Sequence, residues 1–272
     1  MQCGFSHASK DDPIVYPGSP GQAHKHAFYG NTTTDAFSTR QSLLAGDTTC
    51  SDPKDLAATW APTFFIKKNG QWRPVANHRE RTYYFPAIRP EVAPITNLPA
   101  DMKLIGGNPH AMSRHQNPAV RWFCGEGSPE KPFPYDCRPY TTAKEDGVRA
   151  IVDMPTCWDG VNLDSVDHMS HVIYADPTDT TPHVNPARCP ESHPEYIPAI
   201  SIRIHMSIQD PCAGVRPCGP KDGGKNVKIK LSSGPYWTMH ADFWNTWVQA
   251  RLNRLTDRCL RTATNCGILG VD

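Results

Sequence analysis

Three short segments hold the residues whose types and spacing could do chemistry. The first is Gly21-Gln22-Ala23-His24-Lys25-His26-Ala27-Phe28-Tyr29-Gly30-Asn31. Side chains alternate along a strand, so His24 and His26 would share one face there. Two imidazoles on one face can hold a metal ion or share proton transfer, although a bare His-x-His also occurs as a plain surface pair. The second runs from Cys157-Trp158-Asp159-Gly160-Val161-Asn162-Leu163-Asp164 to Asp167-His168-Met169-Ser170-His171. Trp158 beside Asp159, Asn162 and Asp164 would suit a sugar, with the ring stacking on C–H groups and the polar groups bonding hydroxyls. An Asp among apolar rings can also acquire the raised pKa of a general acid. The competing reading is an Asp-Gly turn with Trp158 in the core. The third is Thr238-Met239-His240-Ala241-Asp242-Phe243-Trp244-Asn245-Thr246-Trp247. An imidazole with a nearby carboxylate, His240 and Asp242, is a general-base arrangement. Asp242 is equally suited to capping a helix. The chain has no Gly-x-Ser-x-Gly elbow, P-loop, Gly-x-Gly-x-x-Gly or His-Glu-x-x-His, so nucleotide chemistry has no support.

These groups need elements to position them. Ile200, Ile202, Ile204, Met206 and Ile208 alternate with Ser201, Arg203, His205 and Ser207, a period of two that predicts a strand with one apolar face. Asn226–Leu231 repeats the pattern, and Thr63–Ile66, Arg81–Phe85, Ala150–Met154 and Val172–Tyr174 are shorter strand candidates. Trp244, Val248, Leu252, Leu255 and Cys259 form a helical stripe, with Asp242 as its expected N-cap. Ser38–Leu44 and Asp55–Trp60 read as short turns. The expectation is one mainly β domain over residues 1–272, a β-sandwich or jelly roll with long disulfide-stapled loops and a C-terminal α-helix. Regular βαβ alternation, as in a Rossmann fold or a TIM barrel, is missing.

Composition narrows the setting. Among 272 residues, 28 Lys and Arg nearly balance 27 Asp and Glu, a net charge of +1. That argues against chain-wide affinity for nucleic acid or an anionic membrane. No apolar stretch reaches the roughly 18 residues that span a bilayer. Nor does the start read as a secretory leader, which leaves a cytosolic protein or a secreted one in mature form. The ten cysteines decide between these. None has Cys-x-x-Cys spacing, and many stand beside Pro, Gly or Asp in loop sequence. This predicts an extracellular disulfide framework of up to five bridges. Cys212–Cys218, Cys124–Cys137 and Cys259–Cys266 are plausible local pairs. The 27 prolines exclude a helical bundle. Asn31-Thr32-Thr33 is a glycosylation sequon, meaningful in a eukaryotic host.

The same segments carry a resemblance. Asp12-Pro13-Ile14-Val15 with Pro17-Gly18 comes first, then His24-x-His26-x-Phe28 with Gly30-Asn31. Thr48-Thr49-Cys50, Trp60-Ala61-Pro62, Tyr83-Tyr84, the Cys157–Asp164 stretch, His168-x-x-His171 and His240-x-Asp242-Phe243-x-Asn245-x-Trp247 follow. In this order they resemble a secreted fungal and bacterial family catalogued as a domain of unknown function, often found beside WSC carbohydrate-binding domains. The resemblance runs from about residue 12 to Cys259, with Thr246 standing where Gly is expected. It implies secretion and a role at polysaccharide or cell-wall material, and it supplies no reaction.

The first functional reading is therefore a secreted glycoside hydrolase acting on polysaccharide, in which His24, His26, Asp159, His171, His240 and Asp242 converge. Asp159 or Asp242 would be the acid and the other the base or nucleophile. Trp158, Asn162, Asp164, Trp244 and Asn245 would bind substrate. A second reading makes His24, His26 and His240 ligands of a zinc or copper ion, with Asp242 or His171 near. A third is a non-catalytic glycan-binding or wall protein. The expected partners are a polysaccharide substrate, no nucleic acid and no membrane, and the expected state is a monomer.

Overall fold

Alternating sequence forms strands here where a neighbouring strand pairs with it. The computed structural model describes residues 1–68, 71–75, 77–88, 93–124, 130–131, 148–175, 188–206, 229–262 and 264–267. In chain order the strands are β1 (Gln2–Ser9), β2 (His26–Gly30), β3 (Ala58–Pro62), β4 (Phe64–Lys68), β5 (Gln71–Pro74), β6 (Asn77–Phe85), β7 (Lys103–Gly107) and β8 (Val120–Cys124). They continue with β9 (Glu130–Lys131), β10 (Val148–Asp153), β11 (Cys157–Trp158), β12 (Val172–Ile173), β13 (Glu195–Tyr196), β14 (Ala199–Met206), β15 (Ile229–Leu231) and β16 (His240–Trp244). Among the described residues two α-helices, α1 (Arg40–Leu44) and α2 (Gln249–Leu255), and two short 3-10 turns, Arg114–Gln116 and Tyr236–Thr238, accompany the strands, α2 running on into a π-type turn over Thr256–Leu260.

Ten strands form one sheet in the order β7-β16-β3-β2-β1-β6-β14-β10-β8-β9, and two three-stranded sheets flank it. The mainly β class, the disulfides and the C-terminal helix are as expected. The two packed layers come from one sheet that curls over its own core, so that β7 returns against β10. Gly106 permits that return: a Cβ there would stand 2.6 Å from Met154 Sδ and 2.9 Å from the Asp153 carbonyl oxygen. The inner face carries Ile200, Ile202, Ile204 and Met206 of β14 and Val148, Ala150 and Val152 of β10, all buried in one cluster. Full burial of each larger apolar side chain contributes roughly 1.5–3 kcal/mol. On the outer face of β2, β3, β7 and β16 a second cluster forms from Phe28, Ala58, Trp60, Ile105 and Trp244. Ile14 and Leu43 of α1 cover it. A reciprocal Thr39–Ser42 capping box starts α1.

Disulfides Cys3–Cys50, Cys157–Cys189 and Cys259–Cys266 close loops onto this frame, and no described cysteine is a free thiol. Of the expected local pairs, Cys259–Cys266 forms; Cys212–Cys218 and Cys124–Cys137 depend on residues outside those described.

Three expectations are corrected. The helix does not begin at Asp242: His240–Trp244 is β16, and α2 starts at Gln249 with Val248 at its N-cap and no side-chain cap. The helical stripe hid a period of two, Ala241 and Phe243 inward against His240, Asp242 and Trp244 outward. Pairing of β16 to β3 on one edge and β7 on the other decides for the strand. Likewise, the second half of the Asp55–Trp60 turn, Ala58–Trp60, is strand, because Ala58–Pro62 (β3) pairs between β2 and β16. The sequon at Asn31 is occluded. Its side chain is fully buried, Nδ2 donates to the Leu43 and Leu56 carbonyls at 2.7 and 3.1 Å, and Oδ1 accepts from Thr33.

Candidate functional site

The outer face of β2, β3 and β16 brings the first and third segments together. His26 pairs across to Pro62 on β3, and Asp242 pairs to Trp60 from the other side. In that register His240 stands level with His26, two strands away, a backbone separation of roughly 10 Å. Yet the ring centroids of His26 and His240 are only 5.9 Å apart, so the two side chains lean toward each other across β3. His24, just before β2, closes the triangle with centroids 4.2 Å from His26 and 5.0 Å from His240. One ring nitrogen from each histidine lies within 4.8 Å of the other two, so the three could hold a metal ion. Phe28, stacked on Trp60 at 5.6 Å, packs beside His26.

Hydrogen bonding fixes the tautomers. His26 Nδ1 is 3.0 Å from the Asp11 carbonyl oxygen and His240 Nδ1 is 2.9 Å from that of Thr238. A carbonyl only accepts, so Nδ1 carries the proton in both rings and Nε2 keeps its lone pair. His26 Nε2 and His24 Nε2 are buried with no hydrogen-bond partner among the described residues. Burial depresses all three imidazoles, His24 to about 4 and His240 to about 3, with neighbouring rings adding to the effect at His26 and His240. At neutral pH the cluster is uncharged, the state in which imidazole binds a metal.

A carboxyl completes the group. Asp242 is buried, its Oδ2 is 3.9 Å from His240 Nε2, and that oxygen has no hydrogen bond among the described residues. Burial, then the charge of Asp12, pushes Asp242 well above the usual carboxylate range. Asp12, 4 % exposed, accepts from the backbone N–H groups of Ile14 and Val15 at 3.0 and 2.9 Å and is itself raised by burial. The residues alone mark Asp12 as nothing more than the start of a turn before Pro13. The only signal for it is its place in the first segment of the resemblance.

The second segment meets this site differently. Asp159 is half-buried; its Oδ1 accepts from the N–H groups of Val161 and Asn162, both at 2.8 Å, and its Oδ2 from the Asn162 amide at 2.7 Å. Burial raises its carboxyl, but the Asn162 amide and those two N–H groups outweigh it and hold it below the usual range. This is a turn carboxylate, without the raised pKa a general acid needs. His171 is buried, with Nδ1 against Ser165 Oγ at 3.0 Å and Nε2 against the Lys103 carbonyl at 2.7 Å, so both nitrogens are occupied. Trp158 donates Nε1 to the Asn162 carbonyl within the same turn. Asp164 accepts from Lys103 Nζ and pairs with His168 Nδ1.

Two expected substrate contacts have structural duties. Trp244 is 4 % exposed, its Nε1 donates to Asp101 Oδ1, and Lys103 Nζ sits 4.9 Å above its ring, which leaves no free face for a sugar. Asn245 is fully buried and donates Nδ2 to the Leu98 and Pro99 carbonyls, tying the end of β16 to the preceding loop.

No curated protein and no solved structure matches the chain. A family model does, that of the domain of unknown function DUF1996, over residues 12–247. Its span takes in His24, His26, His240, Asp242 and Asp12, and with most of its length matched the chain belongs to the DUF1996 family.

Proposed function

We propose that this chain is an extracellular metalloprotein that acts on polysaccharide or cell-wall glycan at a zinc or copper centre held by His24, His26 and His240. The carrying observation is the convergence of three ring nitrogens within 4.8 Å, two of the rings fixed from behind by backbone carbonyls. That is the pattern of ligating histidines, whose outer N–H is held so that the inner lone pair faces the ion. Three protein ligands with an open position are the donor set of catalytic zinc, and imidazole suits copper equally. A bound ion would supply Lewis acidity and a low-pKa water. The protein's own part falls to Asp242, whose Oδ2, beside His240 and without a hydrogen bond among the described residues, is placed to exchange a proton with a reacting hydroxyl. Asp12, behind it, raises its proton affinity. The disulfides support an extracellular setting, and the association of similar domains with WSC modules supports a glycan.

A second reading, a metal-free glycoside hydrolase, draws on one observation: Asp12 and Asp242 are buried carboxyls close enough for the charge of one to raise the pKa of the other. Such a pair can divide acid and base roles, with Asp12 in the part first expected of Asp159. The deciding experiment measures metal content in tag-free protein purified without chelator, then screens a polysaccharide panel before and after stripping. About one equivalent of zinc or copper, absent from His24→Ala, with product release lost on stripping, supports the metal reading. Metal at background, with release that survives stripping and is lost in Asp12→Asn and Asp242→Asn, moves the assignment to the carboxyl pair.

A further inference from the structure

The three-stranded sheet β15-β4-β5 turns one face to the core and the other to solvent. Phe64, Ile66 and Leu231 fill the inner face and are buried. On the outer face the register sets Lys230, Phe65 and Pro74 in one row and Lys67 and Trp72 in the next. Directly opposed residues point to the same side, and alternate residues of a strand share it. These residues give the face two ammonium groups, two aromatic rings and a proline, with no carboxylate among them. The face is open. β5 is an edge strand on which Gln71, Trp72, Arg73 and Pro74 are all exposed. Trp72 keeps 37 % of its surface in solvent, and Phe65, Lys67 and Lys230 are half-buried.

The two cations are held in place without being neutralised. Lys230 Nζ lies 4.6 Å from the Trp72 ring centroid and 5.9 Å from that of Phe65, and Lys67 Nζ lies 6.0 Å from Trp72. No carboxylate of the described residues pairs with either lysine. Cation–π contact draws the long stems down onto the sheet and leaves part of each ammonium, with its three donors, to an oxyanion. Two like charges approach one indole, an arrangement that an anion between them would relieve. The sheet is also anchored at the histidine site. The carbonyl of Lys25, the residue between His24 and His26, accepts from the Thr63 N–H at 2.9 Å, just before β4, and from Ser232 Oγ at 2.5 Å, just after β15. Phe65 stands two residues beyond Thr63, so the face begins roughly 7 Å along the strand from that anchor.

We infer that this face is a binding site for an acidic polysaccharide, with carboxylate or sulfate groups on Lys67 and Lys230 and a pyranose ring against the exposed part of Trp72. Charge complementarity selects an anionic ligand. An exposed indole beside the cations selects a sugar, whose C–H face packs on the ring while its acid group reaches an ammonium. Single-stranded nucleic acid, the other anionic polymer that stacks on aromatic rings, is served by a basic groove with a run of stacking platforms. This face offers one well-exposed ring in a chain whose net charge is +1. The inference rests on the glycan part of the proposed function, names its substrate class and places a subsite beside the histidines. It does not involve the metal, so it is tested on metal-stripped protein by binding alone.

The test measures retention on immobilised polygalacturonate, dextran sulfate and neutral dextran, with a single-stranded oligonucleotide as competitor. The expected result is salt-sensitive binding to one or both acidic glycans and none to neutral dextran. Affinity should fall by about tenfold or more in Lys67→Gln/Lys230→Gln and by about fivefold or more in Trp72→Ala. Trp72→Phe, which keeps a ring, should keep most of the binding and so separates loss of the platform from loss of the fold. Arg254→Gln, at an exposed cation on α2, should bind as wild type does. Preference for polygalacturonate assigns carboxylate, preference for dextran sulfate assigns sulfate, and either supports the site. No retention of wild type, an equal loss in Arg254→Gln, wild-type affinity in the double lysine variant or in Trp72→Ala, or tighter binding of the oligonucleotide than of either glycan would overturn the inference. Retention through these residues in a protein that releases no product from any polysaccharide would remove the proposed reaction and leave this site standing; release without retention would do the reverse.

Discussion

Removing and restoring the ion tests the histidine site through stability, without any substrate. In the metal-free protein three buried polar atoms, Nε2 of His24, Nε2 of His26 and Oδ2 of Asp242, have no hydrogen-bond partner among the described residues. Each such group costs about 1–3 kcal/mol, so the empty cluster destabilises the fold by on the order of 3–9 kcal/mol. An ion that binds only the folded state returns about 2.7 kcal/mol at a free concentration one hundred times its Kd. For a domain of this size that is a rise in Tm of about 5–10 °C. The informative variant is His24→Leu. It deletes one orphaned nitrogen and one ligand at a half-buried position and leaves the carbonyl-bound nitrogens of His26 and His240 untouched. Metal-free, it should be at least as stable as metal-free wild type, and zinc or copper should no longer raise its Tm. Thermal unfolding followed by circular dichroism, on chelator-stripped protein titrated with each ion, reads both effects. The reasoning is refuted if neither ion shifts the wild type, or if His24→Leu responds as strongly.

Three further outcomes follow from other parts of the molecule. Glu80 is fully buried on β6, and burial pushes it from 4.5 up to about 7. Between those values the unfolded chain releases this proton while the folded chain keeps it. This group should therefore lower stability by about 3 kcal/mol as pH rises through the window, and Glu80→Gln should lose that share of the slope; equal slopes in urea titrations of the two proteins would refute this. Asn31→Ala removes its bonds to the Leu43 and Leu56 carbonyls, which still accept from the Gly46 N–H and Thr246 Oγ1, and takes away the Oδ1 acceptor of Thr33; it should cost about 1–3 kcal/mol, while peptide mass spectrometry of folded protein secreted by a eukaryotic host should find no glycan on Asn31. Gly106→Ala drives a methyl group against Met154 and the Asp153 carbonyl and should cost about 1–3 kcal/mol; a Tm equal to wild type would show that the curl of the sheet does not depend on that close approach.

Much of the frame was legible in residue order. The alternation in Ala199–Met206 needs only its own side chains to declare an inner and an outer face, and every described strand candidate overlaps an observed strand. Where local patterns conflicted, the sequence misled. Around Asp242 a helical stripe and a strand period overlap, and only pairing on both edges of β16 tells them apart. The same limit applies to the carboxylates. Asp159 sits in the densest cluster of polar residues in the chain, yet its own turn consumes both its oxygens. Asp12, in an unremarkable Asp-Pro step, ends up buried beside Asp242. Pro-rich connections and paired cysteines announced stapled loops but not what those loops cover.

The sequence by itself determined the residue types for metal or proton chemistry, the mainly β class, and the disulfide setting, because composition and period-two patterning are local properties of the chain. It also selected His24, His26, His240 and Asp242 as a group. Only the tertiary structure decided that they meet, since β2 and β16 are more than two hundred residues apart and become neighbours through β3 alone. It decided as well which side chains are free to act. Availability depends on what has already claimed each hydrogen-bonding atom: backbone carbonyls hold the outer nitrogens of His26 and His240 and leave the inner ones open, while Asp159, His171 and Asn245 are fully spent on the fold.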